Sequence, residues 1–257
     1  IDASEINKVI PTTLGIVADC KKVLEALVTE HQSHATYKEW VDHCLDNKTK
    51  HPFKYKEADD IFCRPQEAIE YIGKITNGET IVTTDVGQHQ MWSAQFYPFK
   101  HHGQWVTSGG LGTMGFGIPS AIGAQLAAPD KTVICFVGDG GFQMTNQEMA
   151  LLPEYHLNVK IVLINNGTLG MVKQWQDKFF NKRFSHSVFN DQPDFMKMAE
   201  AYGIKGFLID SPDKLESSID EAFAYHGPAL IEVRISPIEP VNPMVPSGKS
   251  NHEMEGY

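Results

Sequence analysis

The sequence predicts an α/β fold in which helices cover both faces of a parallel sheet. Two apolar, β-branched runs, Thr132–Val137 and Val159–Ile164, are typical of buried strands. Between them, Gln143–Tyr155 can form a helix of roughly three turns. A strand, a helix and a strand in so short a stretch form a parallel crossover unit, whose strands end at the same edge of the sheet. Strand and helix patterns alternate on both sides of this unit, which indicates helices on both faces.

The first 60 residues differ from the rest, and we expect them to be the tail of a preceding domain followed by a linker. Two helices, Asp19–Glu30 and Lys38–Leu45, have too few partners to form a core of their own. The stretch Asn47–Asp60 is rich in Lys, His and Asp, as linkers often are. A second domain is therefore expected to begin at Ile61, and the chain is expected to be part of a longer protein.

From residue 61 to about residue 245 the pattern is regular. Arg64-Pro65 indicates the start of a helix that continues to Ile75, because proline is favoured in the first helical turn. The segment Pro237–Tyr257 has four prolines and no periodicity, so we expect it to be irregular, with residues 246–257 as a C-terminal tail. Besides the crossover unit, the predicted elements are strands Thr80–Thr84, Trp105–Thr107, Gly206–Ile209 and Ala229–Val233, and helices Gln90–Phe96, Gly115–Ala128, Thr168–Phe180, Pro193–Tyr202 and Pro212–Ala224.

Composition excludes several functional classes. The chain has 257 residues, of which 42% are hydrophobic and 21% charged, as is usual for a globular protein. Its formal net charge of −10 argues against nucleic acid as a partner. Cysteines 20, 44, 63 and 135 are scattered without CxxC spacing, which favours reduced thiols over zinc or disulfides. No apolar run reaches the length of a membrane span, and we expect a cytoplasmic location, or an organellar one in a eukaryote.

Polar side chains follow both strands of the crossover unit. Gly138-Asp139-Gly140 follows the first strand, and Asn165-Asn166 follows the second. A carboxylate and a carboxamide are thus expected side by side, at the edge where open α/β sheets bind ligands. Such oxygen ligands suit a Mg²⁺ ion that also contacts phosphate, and small residues at 140 and 141 would let backbone N–H groups approach that phosphate. Either motif alone is more often a turn, so the pair at this spacing is the informative feature.

A second glycine motif supports a different class of enzyme. Gly110–Gly115 matches G-x-G-x-x-G and lies between a short strand and a helix. With Asp139 as a ribose ligand, it would indicate a nicotinamide dinucleotide-dependent oxidoreductase. That interpretation leaves Asn165-Asn166 unexplained, and the preceding strand is short and polar. A third interpretation is structural, with the glycines allowing a helix to pack closely on the sheet.

Together the motifs resemble the catalytic subunit of acetohydroxyacid synthase, the biosynthetic acetolactate synthase, which is a thiamin diphosphate (ThDP) enzyme. The resemblance covers essentially the whole chain. Residues 61–245 are similar to the ThDP-binding domain, and residues 1–45 to the end of the central domain. Catabolic acetolactate synthases are also similar but lack the Gln-Trp-Gln element. The stretches that carry the resemblance are residues 86–92 (VGQHQMW), 109–115 (GGLGTMG), 138–141 (GDGG), 165–166 (NN) and 170–176 (GMVKQWQ).

The resemblance implies how the cofactor is held. The side chains of Asp139 and Asn166 and the backbone carbonyl of Thr168 would bind the metal. Met114 would support the aminopyrimidine ring, a role that suits a large, unbranched apolar side chain. The implied cofactor-binding residues are Val86, Gly87, Gln88, His89, Gly112, Met114, Gly138, Asp139, Gly140, Gly141, Asn166, Thr168, Leu169, Gly170 and Met171.

The resemblance also implies a substrate pocket and a reaction. Met171, Val172 and Trp175 would line the pocket, and Met171, Gln174 and Trp175 would share one helical face. Family members decarboxylate pyruvate and join the hydroxyethyl unit to pyruvate or 2-oxobutyrate, giving 2-acetolactate or 2-aceto-2-hydroxybutyrate for branched-chain amino acids.

Further expectations concern parts of the family's enzymes outside this sequence. In the family, the glutamate that activates ThDP belongs to the N-terminal domain of a neighbouring subunit. We therefore expect no catalytic residue in this sequence and little turnover by the chain alone. FAD would bind mostly in the central domain. We expect a homodimer or tetramer with a possible regulatory small subunit. Nucleic acid and membrane partners are not expected.

Overall fold

The computed structural model describes residues 1–31, 36–55 and 61–256. The chain divides into two compact units, residues 1–52 and 53–257. Within the expected linker, residues 56–60 lie outside the described residues.

The first unit contains two helices, α1 (Cys20–Glu30) and α2 (Lys38–Lys50). Asp19 caps α1, because its carboxylate accepts a hydrogen bond of 3.1 Å from the backbone N–H of Lys22. Helix α2 continues five residues beyond its predicted end, so the linker expected from Asn47 is wrong over its first residues. Lys50 pairs with Asp46 one turn earlier, which stabilises this extension. Neither helix has a buried residue, as expected for helices without a core.

The second unit is built on a six-stranded, all-parallel sheet with strand order β2-β1-β3-β4-β6-β5. This order confirms the predicted α/β class. The strands are β1 (Ile81–Thr84), β2 (Trp105–Val106), β3 (Val133–Gly138), β4 (Val159–Asn165), β5 (Lys205–Ile209) and β6 (Ala229–Arg234). The helices are α3 (Pro65–Ile75), α4 (Gln88–Phe96), α5 (Gly117–Ala127), α6 (Asp139–Thr145), α7 (Leu151–Glu154), α8 (Gly170–Phe179), α9 (Phe195–Ala201) and α10 (Leu215–Ala224).

Helices cover both faces of this sheet, as predicted. Alternate residues of a strand point to opposite faces, and β3 shows the consequence. Ile134 and Phe136 belong to a core that includes residues of α3, α4 and α10. Val133, Cys135 and Val137 belong to a second core that includes residues of α5, α6 and α9. Because β3 and β4 are buried along their whole length, their ends are fixed in position.

Two helices start earlier in the chain than predicted, whereas α5, α8 and α9 each start two residues later. The helix predicted for Gln143–Tyr155 is wrong: α6 starts at Asp139, a 3-10 turn spans Asn146–Ala150, and α7 follows. A tertiary contact accompanies the break, because the Thr145 hydroxyl donates to the Gly115 carbonyl at 3.0 Å. Helix α4 starts at Gln88, two residues earlier than predicted. Both shifts place candidate site residues in the first turn of a helix.

The four cysteines are free in the described structure. Cys63 and Cys135 are buried, and burial raises the pKa of both thiols to about 12, so neither is a thiolate at neutral pH.

Among the described residues, no helix is both long and apolar enough to cross a membrane.

Candidate functional site

The end of the crossover unit forms the candidate site. Strands β3 and β4 are neighbours in register, with Gly138 paired to Ile164. Asp139 and Asn166 therefore leave the sheet at the same edge, as the sequence predicts. A pocket with about 440 Å³ of empty space, partly open to solvent, lies at this edge.

All but one of the predicted cofactor-binding residues line this pocket. The exception is Gly112, on a loop where an added Cβ would meet nothing nearer than Val86, at 3.9 Å. Trp92 and Ile164 also line the pocket and were not predicted. The predicted residues that line it are Val86, Gly87, Gln88, His89, Met114, Gly138, Asp139, Gly140, Gly141, Asn166, Thr168, Leu169, Gly170 and Met171.

Asp139 is a buried carboxylate, with 2% of its surface exposed. One oxygen accepts from the backbone N–H of Gly140 at 3.0 Å, and the other accepts from Nε2 of Gln192 at 2.7 Å. Burial raises the pKa of Asp139 to about 6, although hydrogen bonds, including one from the Gly167 backbone, oppose that rise. Within the described part of the chain, Asp139 forms no ion pair. A bound cation would therefore offset an uncompensated buried charge.

A tight turn brings two further oxygen atoms that could bind a metal, the Asn166 carboxamide oxygen and the Thr168 backbone carbonyl, near Asp139. Gly167 has φ +67°, and its N–H donates to the Asn165 side chain at 3.1 Å. Oδ1 of Asn166 accepts from both the backbone N–H and the hydroxyl of Thr168 at 3.0 Å. A carboxylate, a carboxamide and a backbone carbonyl suit Mg²⁺. Among the described residues, no three side chains of His, Cys, Asp and Glu lie together as a metal site.

The walls of the pocket also fit a diphosphate. Nε2 of His89 is buried and has no hydrogen-bond partner among the described residues. Burial lowers the pKa of His89 to about 4, so the imidazole is neutral at pH 7 and one ring nitrogen can donate to a phosphate oxygen. An added Cβ at Gly140 would lie 2.5 Å from Leu169, and one at Gly138 would lie 2.8 Å from His89. A side chain at Gly140 or Gly138 would therefore have to displace Leu169 or His89, which glycine avoids.

Helix α8 divides its residues between the pocket and the surface. Met171 and Val172 line the pocket. Trp175, one turn later, does not line it; 41% of its surface is exposed, and its ring meets Phe179 edge to face at 6.3 Å. Gln174, beside Trp175 in sequence, is buried at 9% exposure. The three residues predicted to share a face thus lie in different surroundings, with Trp175 at the outer side.

Sequence reasoning missed two carboxylate contacts. Gln192 lies 53 residues after Asp139 in a loop without a motif, so no sequence signal pointed to it. Asp85 is fully buried at the end of β1 and accepts from the backbone N–H groups of Gly115 at 3.1 Å and Gly117 at 2.8 Å. These bonds fix the loop that carries Met114. A carboxylate at the carboxyl end of a buried strand was a signal that could have identified Asp85.

Of the three glycines in the motif, Gly115 has a packing role, whereas an added Cβ would meet nothing within 4 Å at Gly110 and only Val86, at 3.9 Å, at Gly112. Gly115 has φ +90°, and an added Cβ there would lie 2.9 Å from Thr145. An added Cβ at Gly117 would lie 2.9 Å from the backbone of Asp85. The preceding strand β2 has two residues and is separated from β3 by β1, so Asp139 is not on the neighbouring strand. This arrangement supports the structural interpretation over a dinucleotide site.

Comparisons with known proteins agree with this geometry. The family described as "Thiamine pyrophosphate enzyme, C-terminal TPP binding domain" matches residues 85–233. The acetolactate synthase large subunit of Lactococcus lactis is 51% identical over 256 residues, which are 100% of this chain and 44% of that protein. The isozyme 2 large subunit of Escherichia coli is 40% identical over 99% of this chain and 45% of that protein. The large subunit of Porphyra purpurea is 41% identical over 100% of this chain and 44% of that protein. The chain thus spans less than half the length of these relatives.

Proposed function

The chain belongs to the thiamine pyrophosphate enzymes, through their C-terminal TPP-binding domain, and on this premise we propose that its pocket binds ThDP together with Mg²⁺. The side chains of Asp139 and Asn166 and the carbonyl of Thr168 would hold the metal, which would neutralise charge on the diphosphate. The observation that carries this proposal is the buried carboxylate of Asp139, which has no cationic partner in the described residues and lies beside the turn that starts at Asn166.

We further propose that the whole protein is an acetolactate synthase, as its relatives' names indicate. ThDP, when bound, supplies a nucleophilic carbon and an electron sink. The chain's own residues hold the diphosphate end and shape the pocket wall, with Met114 supporting the ring and Met171 lining the approach. Pyruvate is the donor, and pyruvate or 2-oxobutyrate is the acceptor, giving 2-acetolactate or 2-aceto-2-hydroxybutyrate for branched-chain amino acid biosynthesis.

The remaining parts of that activity are also proposals. The relatives are named large subunits, which supports a small partner subunit and an oligomer for the whole protein. The activating glutamate comes from the N-terminal domain of a neighbouring subunit, and FAD binds mostly in the central domain. The residues described here then anchor the cofactor without activating it. The 257-residue chain should bind ThDP and produce little acetolactate alone.

Isothermal titration calorimetry tests the cofactor and the metal separately. The chain should bind ThDP when Mg²⁺ is present and lose that binding in EDTA. Asp139→Ala should lose the Mg²⁺-dependent binding of ThDP, whereas alanine at Asp130, an exposed carboxylate away from the pocket, should leave that binding unchanged. Equal ThDP affinity with and without metal, or in Asp139→Ala, would refute the metal assignment. Binding of NADH in place of ThDP would support the dinucleotide alternative.

A further inference from the structure

A chain of buried amide side chains connects the candidate metal site to the C-terminal segment, defined here as residues 239–243. We propose that Gln174 is a positioning residue, which orients the metal ligand Asn166 through Gln88 and fixes the C-terminal segment to α8. The proposal rests on the proposed function as far as the metal is concerned. It assigns the Gln of the Gln-Trp-Gln element a role separate from that of Trp175.

The hydrogen bonds connect four parts of the fold. Nδ2 of Asn166 donates to Oε1 of Gln88 at 3.1 Å. Nε2 of Gln88 donates to Oε1 of Gln174 at 2.8 Å, and to the backbone carbonyl of Glu239 at 3.0 Å. Oε1 of Gln174 also accepts from the Val241 N–H at 2.9 Å, while its Nε2 donates to the Val241 carbonyl at 3.2 Å. Gln174 therefore binds the Val241 backbone as a neighbouring strand would.

Both N–H groups of the Gln88 amide are engaged in this chain. Its Nε2 has two hydrogens, and Gln174 and Glu239 accept them. The Gln88 side chain therefore presents its oxygen to Asn166 rather than a donor to a diphosphate. Since Gln88 and Gln174 are 5% and 9% exposed, water cannot readily replace a lost partner. Removing the Gln174 amide would free Gln88 to rotate away from Asn166.

The C-terminal segment is packed against the rest of the second unit. Val241 is 1% exposed. Glu239 forms an ion pair with Arg64 and accepts from the Gln66 side chain at 3.0 Å. Nε1 of Trp92, whose ring lines the cofactor pocket, donates to the Pro240 carbonyl at 3.3 Å. The irregular stretch expected after residue 237 is therefore, over residues 239–241, a fixed part of the site's support.

Hydrogen exchange of the cofactor-free protein tests the connection between Gln174 and Val241. A peptide covering residues 238–244 has few exchangeable amides besides that of Val241, because Pro240 and Pro243 have no amide hydrogen. Gln174→Leu should remove the protection of the Val241 amide. Gln147→Leu, an exposed glutamine on the 3-10 turn, is the matched control and should leave protection unchanged. Unchanged protection in Gln174→Leu would overturn the proposal.

Mg²⁺ titrations at saturating ThDP test the connection to the metal. Gln174→Leu should weaken Mg²⁺ binding roughly tenfold to hundredfold, as loss of residues that orient metal ligands does. Gln88→Leu should have a similar effect, and the double variant should lose no more than the larger single loss. Gln174→Glu keeps the acceptor oxygens, so it should retain more affinity than Gln174→Leu and serves if the latter fails to fold.

Two results separate this proposal from the proposed function. The positioning role would be overturned if the decreases in Mg²⁺ affinity of the two single variants multiplied in the double variant, or if Gln174→Leu bound Mg²⁺ within twofold of wild type. Either result would leave ThDP binding intact. Failure of the wild-type chain to bind ThDP would refute the proposed function, and the exchange measurement on the cofactor-free protein would still decide whether Gln174 holds Val241.

Discussion

Replacing Asp139 with asparagine should stabilise the cofactor-free protein while removing the carboxylate ligand of the proposed metal site. Burial raises the pKa of Asp139 from 3.8 to about 6, a difference of about two units. At 1.36 kcal/mol per unit, keeping this carboxylate ionised above pH 6 costs the native state about 3 kcal/mol. Asparagine avoids that cost but loses one acceptor for Gln192, worth about 1 kcal/mol. The net gain of about 2 kcal/mol corresponds to a rise in Tm of roughly 4–8 °C for a domain of this size.

The stability gained by Asp139→Asn should depend on pH. The pKa of Asp139 is higher in the folded than in the unfolded state, so protonation of this carboxyl favours the folded state. That stabilisation is complete below about pH 4 and is lost as the pH rises through about 6. Asparagine does not titrate, so the advantage of Asp139→Asn should be small at pH 4.5 and full at pH 7.5. Thermal unfolding at both pH values, with Asp130→Asn as control, measures it. A variant that melts no higher than wild type at pH 7.5, or equally shifted at both pH values, would refute the reasoning.

Three further outcomes are expected. Gly170→Ala places a Cβ 1.9 Å from Oε1 of Gln88, so it should lower the Tm and weaken ThDP binding more than tenfold. At Gly123, in α5, an added Cβ would meet nothing within 4 Å, so Gly123→Ala should instead stabilise the folded protein by about 0.5–1 kcal/mol. Equal shifts in the Tm of Gly170→Ala and Gly123→Ala would contradict this expectation. Trp175 lies outside the pocket of this chain, but the resemblance assigns it to the acceptor site of the full-length enzyme, so Trp175→Leu there should reduce the proposed preference for 2-oxobutyrate over pyruvate by up to about 1–3 kcal/mol; an unaltered product ratio in a competition assay would refute a role of Trp175 in acceptor choice. The isolated chain should form little acetolactate in a colorimetric assay, and sustained turnover would contradict the assignment of the activating glutamate to another domain.

The sheet and its polar edge could be predicted because each depends on local patterns. Continuous apolar runs defined β3 and β4, and the short crossover fixed them as parallel neighbours. The placement of Asp139 beside Asn166 follows from those two facts. Helix boundaries were harder, because a distant hydroxyl contact at Thr145 accompanies the break that ends α6.

The supporting contacts could not be predicted from local patterns. Gln192 reaches Asp139 across 53 residues, and Gln174 reaches Val241 across 67. No motif marks Gln192, and the motif that contains Gln174 gives no sign of its contact with Val241. The division of α8 between Met171 in the pocket and Trp175 at the surface depends likewise on tertiary packing, since helical spacing alone gives them a common face.

The most direct test of the central claim is a crystal structure of the chain grown with ThDP and Mn²⁺ in place of Mg²⁺. We expect an anomalous peak at about 2.0–2.3 Å from Oδ of Asp139, Oδ1 of Asn166 and the carbonyl oxygen of Thr168, with diphosphate oxygens completing the shell. An ordered cofactor with the metal held by other residues, or with no metal at this edge of the sheet, would contradict it.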